Sequence, residues 1–218
     1  TLSTQQNWKV IKDKGNVGIG LYWVKTQSFN GLPDILNFNA YDRLADENGL
    51  ALATPRTYSD RFKQSVSGLG LLNWDFIPLE EINRSTTRMQ GNDLRINGSA
   101  DYQILKDWKV SGFYQFWMNA TQTENFDPLE SYRARELIND YSEVGEDGNL
   151  IRHIPLGAML DQDFRSAFSH NLRLQTSYDK QWGELHQLNF LAGFESRDLE
   201  REGYRISSYG YDPSIGTS

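Results

Sequence analysis

Carboxylates are the most abundant chemically competent groups in this chain, with 29 Asp and Glu against 22 Lys and Arg and three His. A glycosidase needs two carboxyl groups converging on one bond. Two sets invite that test: the adjacent pair Glu80 and Glu81, and the pair Asp161 and Asp163. Read as strand neighbours, Glu80 and Glu81 project to opposite faces and do not meet at one bond. Asp161 and Asp163 can converge, but nothing in the flanking sequence marks either as an acid of raised pKa. Solvated loop charge is the expected role. His153 and His170 are far apart, and His170 falls on the apolar side of its segment, so no metal site is expected. The absence of Cys excludes a disulfide framework, a thiolate zinc site and a thiol nucleophile. No nucleophile elbow, phosphate loop or nucleotide fingerprint occurs. The expectation is therefore a chain with no catalytic residue, no metal and no cofactor.

A different set of residues invites binding rather than catalysis. Phe113, Gln115, Trp117 and Asn119 alternate with apolar neighbours and share one side of a predicted strand. Aromatic rings beside amides suit a saccharide, since the rings can stack on the sugar while the amides bind its hydroxyls. The plainer reading, in which the rings pack on whatever fills the space before them, is preferred. By the same alternation Arg95 and Asp101, and Arg173 and Gln175, join this polar side. The asparagines of the sequons at 97–99 and 119–121 also lie within predicted strands and are discounted as glycosylation sites.

Composition narrows the setting. A net charge of −7 over 218 residues argues against nucleic acid, which requires clustered Lys and Arg. No run of about 18 apolar residues exists, so no membrane-spanning helix is expected. The opening residues lack a basic segment followed by an apolar one, the layout of a secretory signal. Yet the chain holds 11 Tyr, 11 Phe and 6 Trp at a mean hydropathy of −0.63. High aromaticity with low hydropathy arises when one face of each strand meets an apolar medium and the other meets water.

The elements that must position these residues are strands. In 93–105 the even positions Leu94, Ile96, Gly98, Ala100, Tyr102 and Ile104 are apolar and the odd positions are polar. In 108–121, Trp108, Val110, Tyr114, Phe116 and Met118 share the apolar side. The short connection Lys106-Asp107 predicts a hairpin. Segments 164–179 and 185–197 repeat the unit around a turn at 180–184, and 1–11 with 16–29 repeat it around 12–16. This gives about six long antiparallel strands with short turns within pairs. Between pairs run two long connections, 30–92 and 122–163. Short turns on one side and long loops on the other are the layout of a transmembrane β-barrel. Trp8, Tyr102, Trp108, Tyr178 and Trp182 gather near the short turns, as an interfacial aromatic girdle would. Within the second loop, 127–141 predicts a short helix with Asp127 as cap and Pro128 at its first position. Turns are predicted at Asp46–Gly49 and Glu146–Asn149.

Several blocks carry a family likeness in order and spacing: YDRLADENGLALATPRTY (41–58), GLLNWDFIPLEEINR (70–84), NDLRINGSADYQILKDWKV (92–110), ESYRARELINDY (130–141), IPLGAMLD (154–161), HNLRLQTSYDKQW (170–182), LAGFESRD (191–198) and YGYD (209–212). Their series resembles the middle of SusC/RagA-type TonB-dependent transporters of the Bacteroidetes outer membrane. The resemblance implies a share of a 22-stranded barrel, a location in the outer membrane with lipid around it, and import of oligosaccharides or peptides. It also implies a SusD-like surface lipoprotein as partner, and energy from TonB acting through a plug. No plug, TonB box or closing strand is recognisable in 1–218, so the chain reads as an internal part of one barrel domain. The competing reading is a soluble all-β carbohydrate-binding module. The two differ in what covers the apolar strand faces: lipid in the first, a second sheet in the second.

Overall fold

The computed structural model describes residues 1–11, 14–31 and 41–216. The chain forms β1 (Leu2–Ile11), β2 (Gly15–Asn30), α1 (Asp60–Ser65), α2 (Pro78–Glu81), β3 (Thr86–Leu105) and β4 (Trp108–Asp127). There follow α3 (Tyr132–Asp140), β5 (Ser142–Val144), β6 (Leu150–Arg152), β7 (Ala158–Trp182) and β8 (His186–Tyr211). The six long strands make one antiparallel sheet in the order β1-β2-β3-β4-β7-β8. β5 and β6 form a separate two-stranded hairpin around the predicted 146–149 turn. Each long strand thus lies beside the next long strand in sequence, as the alternation predicts.

The strands are longer than their alternation. β3 begins at 86 rather than 93, β4 runs to 127 rather than 121, and β7 spans 158–182 rather than 164–179. β8 extends to 211 rather than 197, and the two long connections shrink to 31–85 and 128–157. Side chains on neighbouring strands bond across these extensions. Thr87 Oγ1 donates to Asn125 Oδ1 at 2.8 Å, and Gln162 Nε2 donates to Glu124 Oε1 at 3.1 Å. Where both faces are polar the period of two disappears from the sequence, while backbone pairing continues.

The turn expected at 180–184 is displaced to 183–185, because Gly183 supplies the positive φ of 63° that the reversal requires. Lys180 stays in β7 and pairs with Asp107 of the β3–β4 turn. The 12–16 turn lies partly outside the described residues. On its described side Lys14 N donates to Ile11 O at 3.1 Å, and β2 has begun by Gly15.

The predicted helix starts later than its expected cap. Asp127 closes β4 and holds Arg133 at 2.7 Å, and Pro128 begins a turn closed by Ser131 N to Pro128 O at 2.9 Å. Ser131 caps α3 instead, its Oγ accepting from Ala134 N at 3.2 Å. α1 and α2 were not foreseen. Ser59 caps α1 by accepting from Phe62 N, and Pro78 occupies the first turn of α2.

The chain divides into two compact units. The first comprises Thr1–Gln27, Gln90–Gln122 and Phe164–Tyr204 and consists of strands and their short turns. The second comprises Ser28–Met89, Thr123–Asp163 and Arg205–Ser218 and contains all three helices and the β5–β6 hairpin.

The units differ in how they treat apolar surface. In the second, Ala134 and Ile138 are fully buried with Met159, and Leu72, Leu129, Leu137 and Ile154 pack around them. Phe76 meets Tyr132 edge-on at 5.1 Å, and the Arg56 guanidinium lies 4.4 Å from the Phe76 ring centre. In the first unit, no apolar side chain is buried among the described residues. Truncation of Ile138 to Ala should cost about 2–5 kcal/mol, because it opens a cavity at a fully enclosed site. In the intact protein, Ile138→Ala is expected to accelerate tryptic cleavage at Arg133 and Arg135 while the long strands stay protected.

Candidate functional site

Period-two geometry places the odd residues of β3 and β4 on one face, and the hydrogen bonds there fix the assignment. Asp93 is the hub. Its Oδ2 accepts from Trp117 Nε1 at 2.8 Å and from Asn119 Nδ2 at 3.4 Å, while Arg95 Nε lies 3.3 Å from Oδ1. Next along the face, Gln115 Nε2 donates to Asn97 Oδ1 at 2.8 Å. Further on, Asp101 accepts from Ser111 Oγ at 2.7 Å and pairs with Lys109 at 3.1 Å. That bonding holds the Asp101 side chain between two donors on β4.

The neighbouring strands supply the same face. On β2, Gly18 stands where a side chain would collide. A Cβ on Gly18 would lie 2.4 Å from Asn7 Oδ1 and 2.6 Å from Ser99 Oγ. Glycine there lets Asn7 of β1 and Ser99 of β3 close over β2, and a recess forms with Phe113 in its lining. The Arg95 guanidinium lies 5.6 Å from the Tyr22 ring centre. On β7 and β8, Arg173 reaches Glu195 through Nε at 3.2 Å and a terminal nitrogen at 3.0 Å.

All eight predicted contact residues lie in the first unit, within β3, β4 and β7. Bonding and recess linings bring Arg95, Asp101, Phe113, Gln115, Trp117 and Asn119 to one face. Arg173 is engaged with Glu195 rather than with the β3–β4 network, and Gln175 is exposed on the same strand. Asp93 was legible as one polar position among several. Its status as hub was not, because its partners Trp117 and Asn119 come from the next strand.

None of the carboxylates considered for catalysis lies in the element expected for it. Glu80 and Glu81 do not occupy a strand. They sit in α2 and converge on Arg84, at 3.0 and 3.2 Å. Glu81 is 3% exposed, accepts from Tyr132 N at 3.0 Å and lies 3.7 Å from Arg135. Its charge therefore sits at the N-terminus of α3, where the helix dipole favours an anion. Asp161 and Asp163 lie in β7, not in a loop, and Asp161 holds Arg133 at 3.1 Å and accepts from Ser207. His153 faces Glu143 at 3.4 Å, and His170 Nδ1 is 2.7 Å from the Tyr114 hydroxyl. No cluster of three or more metal-ligating side chains occurs among the described residues.

One further polar cluster belongs to the second unit. Tyr132 and Thr57 both donate to Glu136 Oε1, each at 2.6 Å. Burial, reinforced by the bond to Glu136, pushes the Tyr132 phenol up to about 12. Compared with known proteins, the chain matches no family model and no characterised sequence.

The raised phenol has a definite consequence for pH. Its contribution to stability is present below the ordinary value near 10 and is lost as pH rises through about 12. Difference titration at 295 nm of the wild type against Tyr132→Phe should isolate one phenol ionising late. Glu136→Gln should move that step toward 10.

Proposed function

We propose that this chain is part of the wall of a TonB-dependent outer-membrane transporter of the SusC/RagA type. Such a protein imports oligosaccharides or peptides with a SusD-like lipoprotein over its mouth. The observation that carries this reading is the contrast between the two faces of one sheet. The polar face is knitted by cross-strand hydrogen bonds. The opposite face leaves Ile19 51%, Leu174 45%, Phe190 55% and Phe194 59% exposed. A contiguous apolar face of this kind needs an apolar neighbour. A carbohydrate-binding sandwich would provide a second sheet of comparable size, and beyond the six-stranded sheet the described residues form only the short β5–β6 pair.

In this reading the even residues of β1, β3, β4, β7 and β8 and the odd residues of β2 face lipid, and the alternate residues line a hydrated lumen. Trp8, Tyr102, Trp108 and Trp182, all more than a third exposed, sit at headgroup depth. β1 and β8, at the ends of the strand order, pair with further strands of the parent barrel, since an open edge in lipid costs several kcal/mol per unpaired group. The second unit belongs to the extracellular connections. The lumen face binds solute through fixed amides, guanidinium groups and aromatic edges. Energy coupling resides in the plug of the parent protein. The resemblance in residues 41–212 supports the reading, and so does the alternation of short and long connections.

The paired substitution Leu174→Arg and Gln175→Arg tests it in the full-length protein. Arginine on the lipid face near mid-membrane costs about 2–4 kcal/mol, whereas on the lumen face it costs little. Outer-membrane fractionation and heat-modifiable migration should therefore show impaired assembly for Leu174→Arg alone. Equal tolerance would overturn the membrane reading in favour of a soluble module.

A further inference from the structure

A second recess on the polar face, away from Phe113, is lined by Arg95, Gln115, Trp117, Ser169, Asn171 and Arg197. All six lie in the first unit. Its charge is unusual for so acidic a chain. Elsewhere on this face each named cation has its own carboxylate: Lys109 has Asp101, and Arg173 has Glu195. The Arg197 side chain has neither an ion pair nor a hydrogen bond among the described residues. Arg95 approaches Asp93 through Nε alone, so its two terminal nitrogens remain uncommitted. Asp93 itself is occupied by the Trp117 indole N–H and the Asn119 amide. The recess lining therefore presents two guanidinium groups and no carboxylate. Neighbouring Asp93 hydrogen-bonds through Oδ2 and keeps its Oδ1, 3.3 Å from Arg95 Nε, buried without a hydrogen bond.

The uncharged groups point the same way. Ser169 is 5% exposed and spends its hydroxyl proton on Asp198 O at 2.8 Å, which leaves its oxygen lone pairs. The Asn171 side-chain oxygen is buried without a partner. Gln115 uses an amide hydrogen on Asn97 and keeps its carbonyl oxygen for a donor. A ligand matching this set carries an anionic group for the arginines and hydroxyl donors for the amides.

We infer that this recess is an anion subsite for a carboxylate-bearing oligosaccharide, with Arg197 and Arg95 gripping a uronate carboxylate while Gln115 and Asn171 meet ring hydroxyls. A guanidinium fork matches a planar carboxylate with two parallel bonds. The Trp117 indole, held in place by Asp93, forms a fixed wall of the recess. A peptide carboxylate would satisfy the arginines too, and its backbone N–H groups would meet the amide acceptors. It is the fixed Trp117 indole beside them that favours a sugar ring, whose C–H face suits an aromatic wall. The inference deepens the transporter reading and rests on it for the access of solute to this face.

The test uses the detergent-purified full-length protein and isothermal titration with three probes: a galacturonate tetrasaccharide, its methyl ester, and tetra-glutamate. The acidic saccharide should bind at least about tenfold more tightly than its ester, as expected for charge-assisted bonds. The preference should shrink as salt is raised. Arg197→Gln should erase it without altering heat-modifiable migration, and Arg197→Lys should restore only part, because the charge returns without the fork. Equal affinity for acid and ester, an unchanged preference in Arg197→Gln, or preference for tetra-glutamate would each overturn the subsite. Outer-membrane fractionation reads the transporter assignment separately. A protein that assembles in the outer membrane yet shows no preference rejects the subsite alone. A soluble protein that still prefers the acid rejects the transporter and keeps the recess.

Discussion

Successive side chains on a β-strand must point to opposite sides, and nearly every property of the first unit descends from that constraint. Once Leu94, Ile96, Leu172 and Leu174 share a side, Asp93, Arg95, Asn171 and Arg173 are committed to the other. The polar groups then lie close to one another at the spacing of neighbouring strands, and half-burial makes an unpaired charge costly. The outcome is the chain of contacts from Asn119 and Trp117 through Asp93 to Arg95, with Asp101 and Glu195 answering Lys109 and Arg173. A one-residue slip of β3 would move Asp93, Arg95 and Asp101 to the apolar side at once.

The second unit depends on a different kind of contact. Glu81 is almost fully buried, yet its carboxylate meets Arg84, Arg135 and the first backbone N–H of α3. Those partners join α2 to α3 across about fifty residues of sequence. Asn139 adds a second long-range tie, its amide both donating to and accepting from the backbone of Leu72, at 2.9 and 2.8 Å. Around these fixed points a small apolar cluster centred on Ile138 suffices. Such polar ties are directional, so they specify one arrangement where apolar packing alone would allow several.

These two modes of construction differ in how openly the sequence shows them. β3 and β4 were legible from 93–105 and 108–121 because one face is consistently apolar. The outer end of β3 was not, since Arg88, Gln90 and Asn92 on one side face only Met89 as an apolar residue, between Thr87 and Gly91, on the other. Ser131 and Asp127 are both acceptable caps, and only the third dimension, in which Asp127 is taken by Arg133, decides between them. The adjacent pair Glu80 and Glu81 reads as a strand fragment or surface charge, because Arg135 and Tyr132, which explain Glu81, lie more than fifty positions away. Arg197 was visible as one polar residue on an alternating strand. Its lack of a counter-charge appears only once Glu195 is seen to serve Arg173.

The connections between the long strands carry a consequence for how the molecule forms and diversifies. Lys106 and Asp107 alone join β3 to β4, whereas 31–85 separates β2 from β3 and 128–157 separates β4 from β7. A hairpin with so short a link zips in roughly 1–10 μs, so each strand pair can form on its own before any distant pairing is attempted. Joining one pair to the next requires closing a long loop, yet the entropic penalty rises only as the logarithm of its length, by about 0.6 kcal/mol per doubling. Insertions there are thermodynamically cheap, while a single added residue at 106–107 would disrupt the reversal itself. Heritable variation in length should accumulate in the long connections, so that descendants of this chain can acquire new outer surfaces while inheriting the same paired strands.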